Sequence, residues 1–101
     1  MTPRVALIYL SFHCEPYMDD VVSSMEKLTY PKDRVELVVV DNPHREYGSS
    51  VRYLEGRVMP LSEKTMSKVT VIANSENLGF SGGNNVGIHY ALEQGFDYIY
   101  L

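Results

Sequence analysis

The residues best suited to chemistry lie in "NLGFSGGNNVG", residues 77–87. Four glycines (Gly79, Gly82, Gly83, Gly87) and three asparagines (Asn77, Asn84, Asn85) share eleven positions there. Glycine loses the most conformational freedom on folding, so such a cluster asks for a reason. One reason is anion binding: backbone N–H groups of a glycine-rich turn entering a helix can cradle a phosphate, helped by the helix dipole. The other is close helix-to-sheet packing at Gly82, Gly83 and Gly87, and spacing alone does not separate the two. The pattern is not the G-x-G-x-x-G of dinucleotide folds, and it follows the third strand rather than the first. No Lys-Ser/Thr pair follows, which excludes a phosphate loop of the NTPase type.

Three further stretches carry reactive side chains. In "VVVDN" (38–42) a carboxylate, Asp41, and an amide, Asn42, close an apolar run. At a strand end such groups either accept hydrogen bonds from a nucleobase or ribose, or bond their own backbone in a turn. "SFHCE" (11–15) sets His13, Cys14 and Glu15 side by side. Neighbours in an extended segment point alternately, so three in a row rarely share one ion. A thiol nucleophile needs a base, for which His13 is the one candidate, and an orienting partner, for which there is none. Phe12 is better suited as a platform for a flat ring. Asp19 and Asp20 fall in the first turn of an expected helix, where acids meet the dipole favourably. His44 and His89 read as surface residues.

The elements that must position these groups alternate in kind. "RVALIYLSF" (4–12) and "RVELVVVDN" (34–42) are short apolar runs suited to buried strands, and "KVTVIAN" (68–74) and "FDYIYL" (96–101) read as a third and a fourth strand. Between the first two, Pro16 marks a helix start, Met18, Val21, Val22, Met25 and Leu28 give one apolar face, and Pro31 closes it. A weaker helix is expected around 47–56 on Val51, Tyr53 and Leu54. Residues 56–67 read as loop, with Pro60 as breaker. A third helix is expected on Ile88, Ala91 and Leu92, ending near Gly95. Strand–helix alternation at this spacing predicts βαβ units and a parallel sheet, whose ligands bind beyond the carboxyl ends of the strands.

Bulk properties narrow the function classes. The 101 residues are 45% hydrophobic and 22% charged, the balance of one ordinary globular domain. A net charge of −4 without a basic run argues against a nucleic-acid partner. No apolar run is long enough to span a bilayer, no leader pattern opens the chain, and a lone Cys14 forms no internal disulfide. A cytoplasmic location is expected.

Taken in order, the strand ending "LSFH", the strand ending "VVVDN" and "NSENLGFSGGNNVGIHYALEQGFDYIYL" resemble the inverting family 2 glycosyltransferases of GT-A fold, most of all their rhamnosyltransferase-like members. The resemblance covers essentially the whole chain. Its most specific part is Asn77, Gly79, Phe80, Gly82, Asn84 with Asn85, and Gly87. It implies a Rossmann-like three-layer α/β/α domain with a mostly parallel four-stranded sheet, the N-terminal half of a GT-A fold. Residues 1–101 would be a single domain for a UDP- or dTDP-linked sugar, ending before an Asp-x-Asp motif. By the resemblance, Ser11 and Phe12 line the base and ribose pocket. Asp41 or Asn42 reads the pyrimidine's imide edge. Asn77, Gly79, Gly82 and Gly83 pass beneath ribose and diphosphate, with Asn84 and Asn85 turned inward. It also implies Mg²⁺ or Mn²⁺, and a glycan or lipid-linked acceptor, for a whole enzyme that is cytoplasmic or membrane-peripheral. No catalytic or metal-binding residue is assigned within 1–101, so this piece is expected to be inactive alone. His13 stands where Asn is usual, and "PHRE" (43–46) replaces a small, Ser-rich turn. Two other classes stay open: a stand-alone nucleotide-binding or regulatory domain, and an interaction module whose exposed sheet edge pairs with a partner or a second copy.

Overall fold

The computed structural model describes residues 2–101. The chain runs β1 (Val5–Phe12), α1 (Met18–Glu26), β2 (Val35–Asn42), α2 (Val51–Val58), β3 (Lys68–Ala73), α3 (Gly79–Glu93) and β4 (Tyr98–Tyr100), with single 3-10 turns before α1, before β2 and after α2. All strands are parallel, in the order β3-β2-β1-β4. The domain is α/β, Rossmann-like and three-layered, and the sheet expected to be mostly parallel is wholly so.

Strand β2 explains the layering. Successive side chains of a strand point to opposite faces. Val35, Leu37 and Val39 join Met18, Leu54, Val58, Leu61, Met66 and Val69 on the face covered by α1 and α2. Val38 and Val40 join Ile8 on the other face, against Val86, Ile88 and Tyr90 of α3. A strand buried on both sides reads as one unbroken apolar run, as "VELVVV" does. The chirality of β–α–β crossovers accounts for which helix lies where. Two right-handed crossovers carry the chain from β1 outward to β3, and α3 then returns it to the far side of β1, which puts α3 on the opposite face. The order reverses at β1, so β1 carries the carboxyl end where a ligand crevice is expected.

Several element boundaries differ from the sequence expectation, each for a packing reason. Helix α1 ends at Glu26, which leaves Leu28 exposed outside it. The second helix begins at Val51 rather than near 47, continues through Gly56 to Val58 and passes into a 3-10 turn at Met59–Leu61. The stretch 56–67 is therefore no open loop: Val58, Leu61 and Met66 are core residues. Leu92 is 62% exposed and not part of the α3 face, which Ala91 and Ile88 supply. Strand β4 is shorter than 96–101 because Phe96 lies under the Arg4 guanidinium, 4.4 Å from it, and the Asp97 carboxylate accepts the Arg4 amide at 2.8 Å. Among the described residues, no helix is long and apolar enough to cross a membrane.

Candidate functional site

The carboxyl ends of β1 and β2 lie level, with Ser11 opposite Asp41 and Phe12 opposite Asn42. Strand β3 ends at Ala73, also opposite Asp41. Strand β4 pairs only as far as Leu7 and does not reach this edge. The register thus brings Ser11, Phe12, Asp41 and Asn42 together, as the sequence predicts.

Asp41 is fully buried and its carboxylate is well occupied. It accepts Ser11 Oγ at 2.7 Å, Ser49 Oγ at 2.9 Å and the Ser50 amide at 3.0 Å. Three donors stabilise a buried carboxylate that would otherwise be costly to remove from water. Asn42 is just as engaged. Its Oδ1 accepts Asn74 Nδ2 at 2.9 Å and the Leu78 amide at 3.3 Å, while its Nδ2 donates to the Gly79 carbonyl at 3.1 Å. Asp41 therefore ties the loop after β2 to the end of β1, and Asn42 ties the end of β2 to the start of α3.

The glycine-rich stretch is helix rather than turn: α3 begins at Gly79, inside it. Gly79 has φ +76°, a left-handed conformation that glycine adopts without strain, and its amide donates to Asn77 Oδ1 at 2.8 Å. Close packing accounts for Gly83 and Gly87. A Cβ at Gly83 would stand 2.5 Å from Leu10 Cδ1 and 2.9 Å from Asn42 Nδ2; one at Gly87 would stand 2.7 Å from Ile8 Cγ2 and 3.2 Å from Val40 Cγ2. At Gly82 a Cβ would meet the helix's own Leu78 Cβ at 2.9 Å. Asn84 is turned inward at 6% exposure, whereas Asn85 lies on the exposed side of α3, since neighbours on a helix diverge by about 100°. Leu78 at the N-cap supplies no side-chain cap, so Asn77 takes the first helical amide, and the first turn of α3 holds no acidic residue.

The loop after β1 meets the loop after β2 through rings that sequence reasoning left unassigned. The His13 and Tyr47 rings stack at 4.5 Å between centroids and 16° between planes. His44 lies 4.7 Å from Tyr47, 5.1 Å from His13 and 5.1 Å from Phe12. His44 is consequently not a plain surface residue, whereas His89 is exposed as expected. The residue types were legible, but their meeting depends on the β1–β2 register. His13 adopts φ +48°, a left-handed conformation for which His, like Asn, is a tolerated choice.

The groups of "SFHCE" do not form a reactive unit. Cys14 is buried, and that burial pushes its thiol above the ordinary range, the opposite of an activated nucleophile. His13 Nδ1 lies 3.9 Å from Glu15 Oε1, too far for a hydrogen bond. Glu15 instead accepts Ser50 Oγ at 2.7 Å, which holds its carboxyl below the usual range. Asp19 and Asp20 stand in the first turn of α1, and Asp19 pairs with Arg57 at 2.6 Å.

The edge offers few carboxylates to a divalent ion. Among the described residues no three His, Cys, Asp or Glu side chains are grouped to hold one. Of the carboxylates near the edge, Asp41 is buried under serine and backbone donors, and Glu15 accepts Ser50 on one oxygen.

No family model matches the chain, and no solved structure matches it. Over 86 residues it is 27% identical to a Haemophilus influenzae protein described as an "Uncharacterized glycosyltransferase". The chain is distantly similar to a glycosyltransferase. That match takes in 85% of this chain and 24% of the relative, so the chain spans about a quarter of the relative's length. At that distance the likeness suggests glycosyl transfer at most.

Proposed function

We propose that this domain is the donor-nucleotide site of a glycosyltransferase, holding the nucleoside diphosphate of a UDP- or dTDP-linked sugar at the carboxyl edge of β1, β2 and β3. One observation carries the reading: the first turn of α3, free of acidic residues and with its Gly79 amide held by Asn77, is tied to the end of β2 by Asn42. A helix start attracts anions through its free amides and dipole, and a diphosphate is such an anion. The similarity to a glycosyltransferase supports the class of donor. In this reading Phe12, Asn77, Gly79 and Asn84 stand around the ligand, while Ser11, buried with its hydroxyl on Asp41, joins Asp41 and Asn42 in holding the surrounding loops. Transfer itself needs a base for the acceptor hydroxyl and positive charge on the leaving diphosphate. We assign neither role to any of residues 2–101, and transfer is proposed for the whole protein only.

Titration with UDP and dTDP, with and without Mn²⁺, tests this by amide chemical shifts. Either nucleotide should move the amides of 79–85 and of Asp41 and Asn42. If both leave those amides unmoved, the site does not bind a donor nucleotide.

A second reading concerns self-association. Tyr98, Tyr100 and Leu101 are exposed, and Tyr100 borders an apolar cavity of about 400 Å³ with Val5, Leu7, Leu28, Tyr30 and Val35. The outer edge of β4 is unpaired among the described residues, and such edges pair with other chains. Light scattering should report a dimer, and a strict monomer at high concentration removes this reading.

A further inference from the structure

We infer that His44 and Tyr47 read and stack the base of the bound nucleotide, and that they select a heterocycle with a ring carbonyl at the position where cytosine carries an amine. The inference rests on the donor-site reading and names the group within it that chooses the base.

The first step is elimination. Asp41 is fully buried, and its two oxygens already take three donors. The Asn42 carbonyl oxygen takes two donors, and its amide is committed to Gly79. Neither side chain presents a free edge to a planar ligand. A reader of the base must come from elsewhere on the same edge.

The rings supply it. Phe12 and Tyr47 are 47% and 66% exposed, although each packs against a histidine ring on one side. Aromatic faces left uncovered at a strand's carboxyl edge form a stacking surface, which every nucleobase can use. The surface is preorganised. His44 and Gly48 exchange backbone hydrogen bonds at 2.8 and 2.9 Å, which closes the turn. Ser49 Oγ anchors the following residue to Asp41. A platform held in this way loses little freedom on binding.

His44 adds direction. Its Nδ1 accepts the amides of Glu46 at 3.0 Å and Tyr47 at 3.2 Å. In a neutral imidazole one nitrogen accepts and the other carries the proton. These bonds assign the proton to Nε2, for which no hydrogen-bond acceptor stands among the described residues. An N–H donor bonds a carbonyl oxygen and opposes an amine. Uracil and thymine present a carbonyl where cytosine presents NH₂.

The experiment uses the whole chain and four ligands: UDP, CDP, uridine and pyrophosphate. In the wild type, UDP and uridine should shift the ring protons of His44 and Tyr47, pyrophosphate should not, and UDP should bind more tightly than CDP. Two variants follow. His44→Asn keeps an acceptor at the δ position for the Glu46 and Tyr47 amides but removes the ring and its Nε2–H. Tyr47→Leu keeps an apolar side chain and removes the ring. Each should weaken UDP roughly tenfold, the order of one base–aromatic contact, and leave pyrophosphate binding unchanged. His44→Asn should also abolish the preference for UDP over CDP. Should UDP bind the wild type with the rings of His44 and Tyr47 silent, or bind both variants as tightly, the inference is overturned while the donor site stands. Failure of the wild type to bind UDP at all overturns both.

Discussion

The two faces of the sheet are built by opposite means. On the α1/α2 face, space is filled: Met18, Leu54, Val58, Leu61 and Met66 are buried against Val35, Leu37, Val39 and Val69. On the α3 face, space is withheld: Gly83 and Gly87 lie against Leu10, Ile8 and Val40, with Ala91 and Asn84 buried beside them. Volume stabilises the first face, because each large apolar side chain removed from water contributes about 1.5–3 kcal/mol. The second face gives up part of that contribution. A glycine inside a helix also costs about 0.5–1 kcal/mol relative to alanine. What it obtains is proximity, because α3 comes close enough for Asn42 to hold Leu78 and Gly79. One face keeps the domain folded, and the other positions the start of α3 at the edge where the ligand is proposed.

The largest effect should come from emptying the filled face. Leu54 is fully buried in α2, and Leu54→Ala should lower stability by about 2–5 kcal/mol through lost burial and a cavity. Urea unfolding measures it. A loss under 1 kcal/mol would mean that α2 does not cover the sheet as described. Next comes filling the empty face. Gly83→Ala puts a methyl group 2.5 Å from Leu10 Cδ1 and 2.9 Å from Asn42 Nδ2. Overpacking should cost about 1–3 kcal/mol, offset in part by better helix propensity. Amide shifts should move at Leu78 and Gly79, because Asn42 must yield. A variant more stable than wild type would remove the close-approach account of the glycine stretch.

The same substitution should change sign on the other side of the molecule. A Cβ at Gly56 in α2 meets nothing within 4 Å. Gly56→Ala should therefore raise stability by about 0.5–1 kcal/mol. Measuring Gly56→Ala and Gly83→Ala together isolates packing from propensity, since propensity favours alanine in both. Two shifts of the same sign would erase the distinction between the faces.

This contrast also explains how much of the fold is legible in the sequence. The strands were readable because two-sided burial leaves an unbroken apolar run, as in "VELVVV", and the parallel sheet followed from their spacing. The start of α3 was not, because glycine has poor helix propensity and "GFSGG" reads as a turn. Tertiary contact overrides that preference: Gly83 and Gly87 are helical because the sheet is there to meet them. Gly56 and Pro60 misled in the same direction, since Val58, Leu61 and Met66 are held by the core rather than by local preference. At the site, Ser11, Phe12, Asp41 and Asn42 were legible as strand-end groups. The ring cluster was not, because "NPHREY" carries no periodicity, and His44 meets His13 only once β1 and β2 are in register.

The smallest expected effect lies at the polar tie between the loops after β1 and β2, where neither filling nor closeness operates. Ser50 Oγ donates to Glu15 Oε1 at 2.7 Å, and this bond is the main reason the Glu15 carboxyl sits below its ordinary value of 4.5; the nearby His13 adds to it. A carboxyl depressed in the folded state stabilises the fold at pH values above its unfolded value. That contribution is lost as pH falls below about 4.5, through the folded value. The Glu15 side chain is 40% exposed, so solvent screens the tie and its effect on stability is small. Titration of the Glu15 carboxyl carbon resolves it better than unfolding does. In Ser50→Ala the midpoint should rise toward the ordinary carboxyl value, while the Ser50-position amide keeps its bond to Asp41. An unchanged midpoint would show that the tie does not hold in solution, leaving the ring contacts of His13 and the bonds of Asp41 to join the two loops.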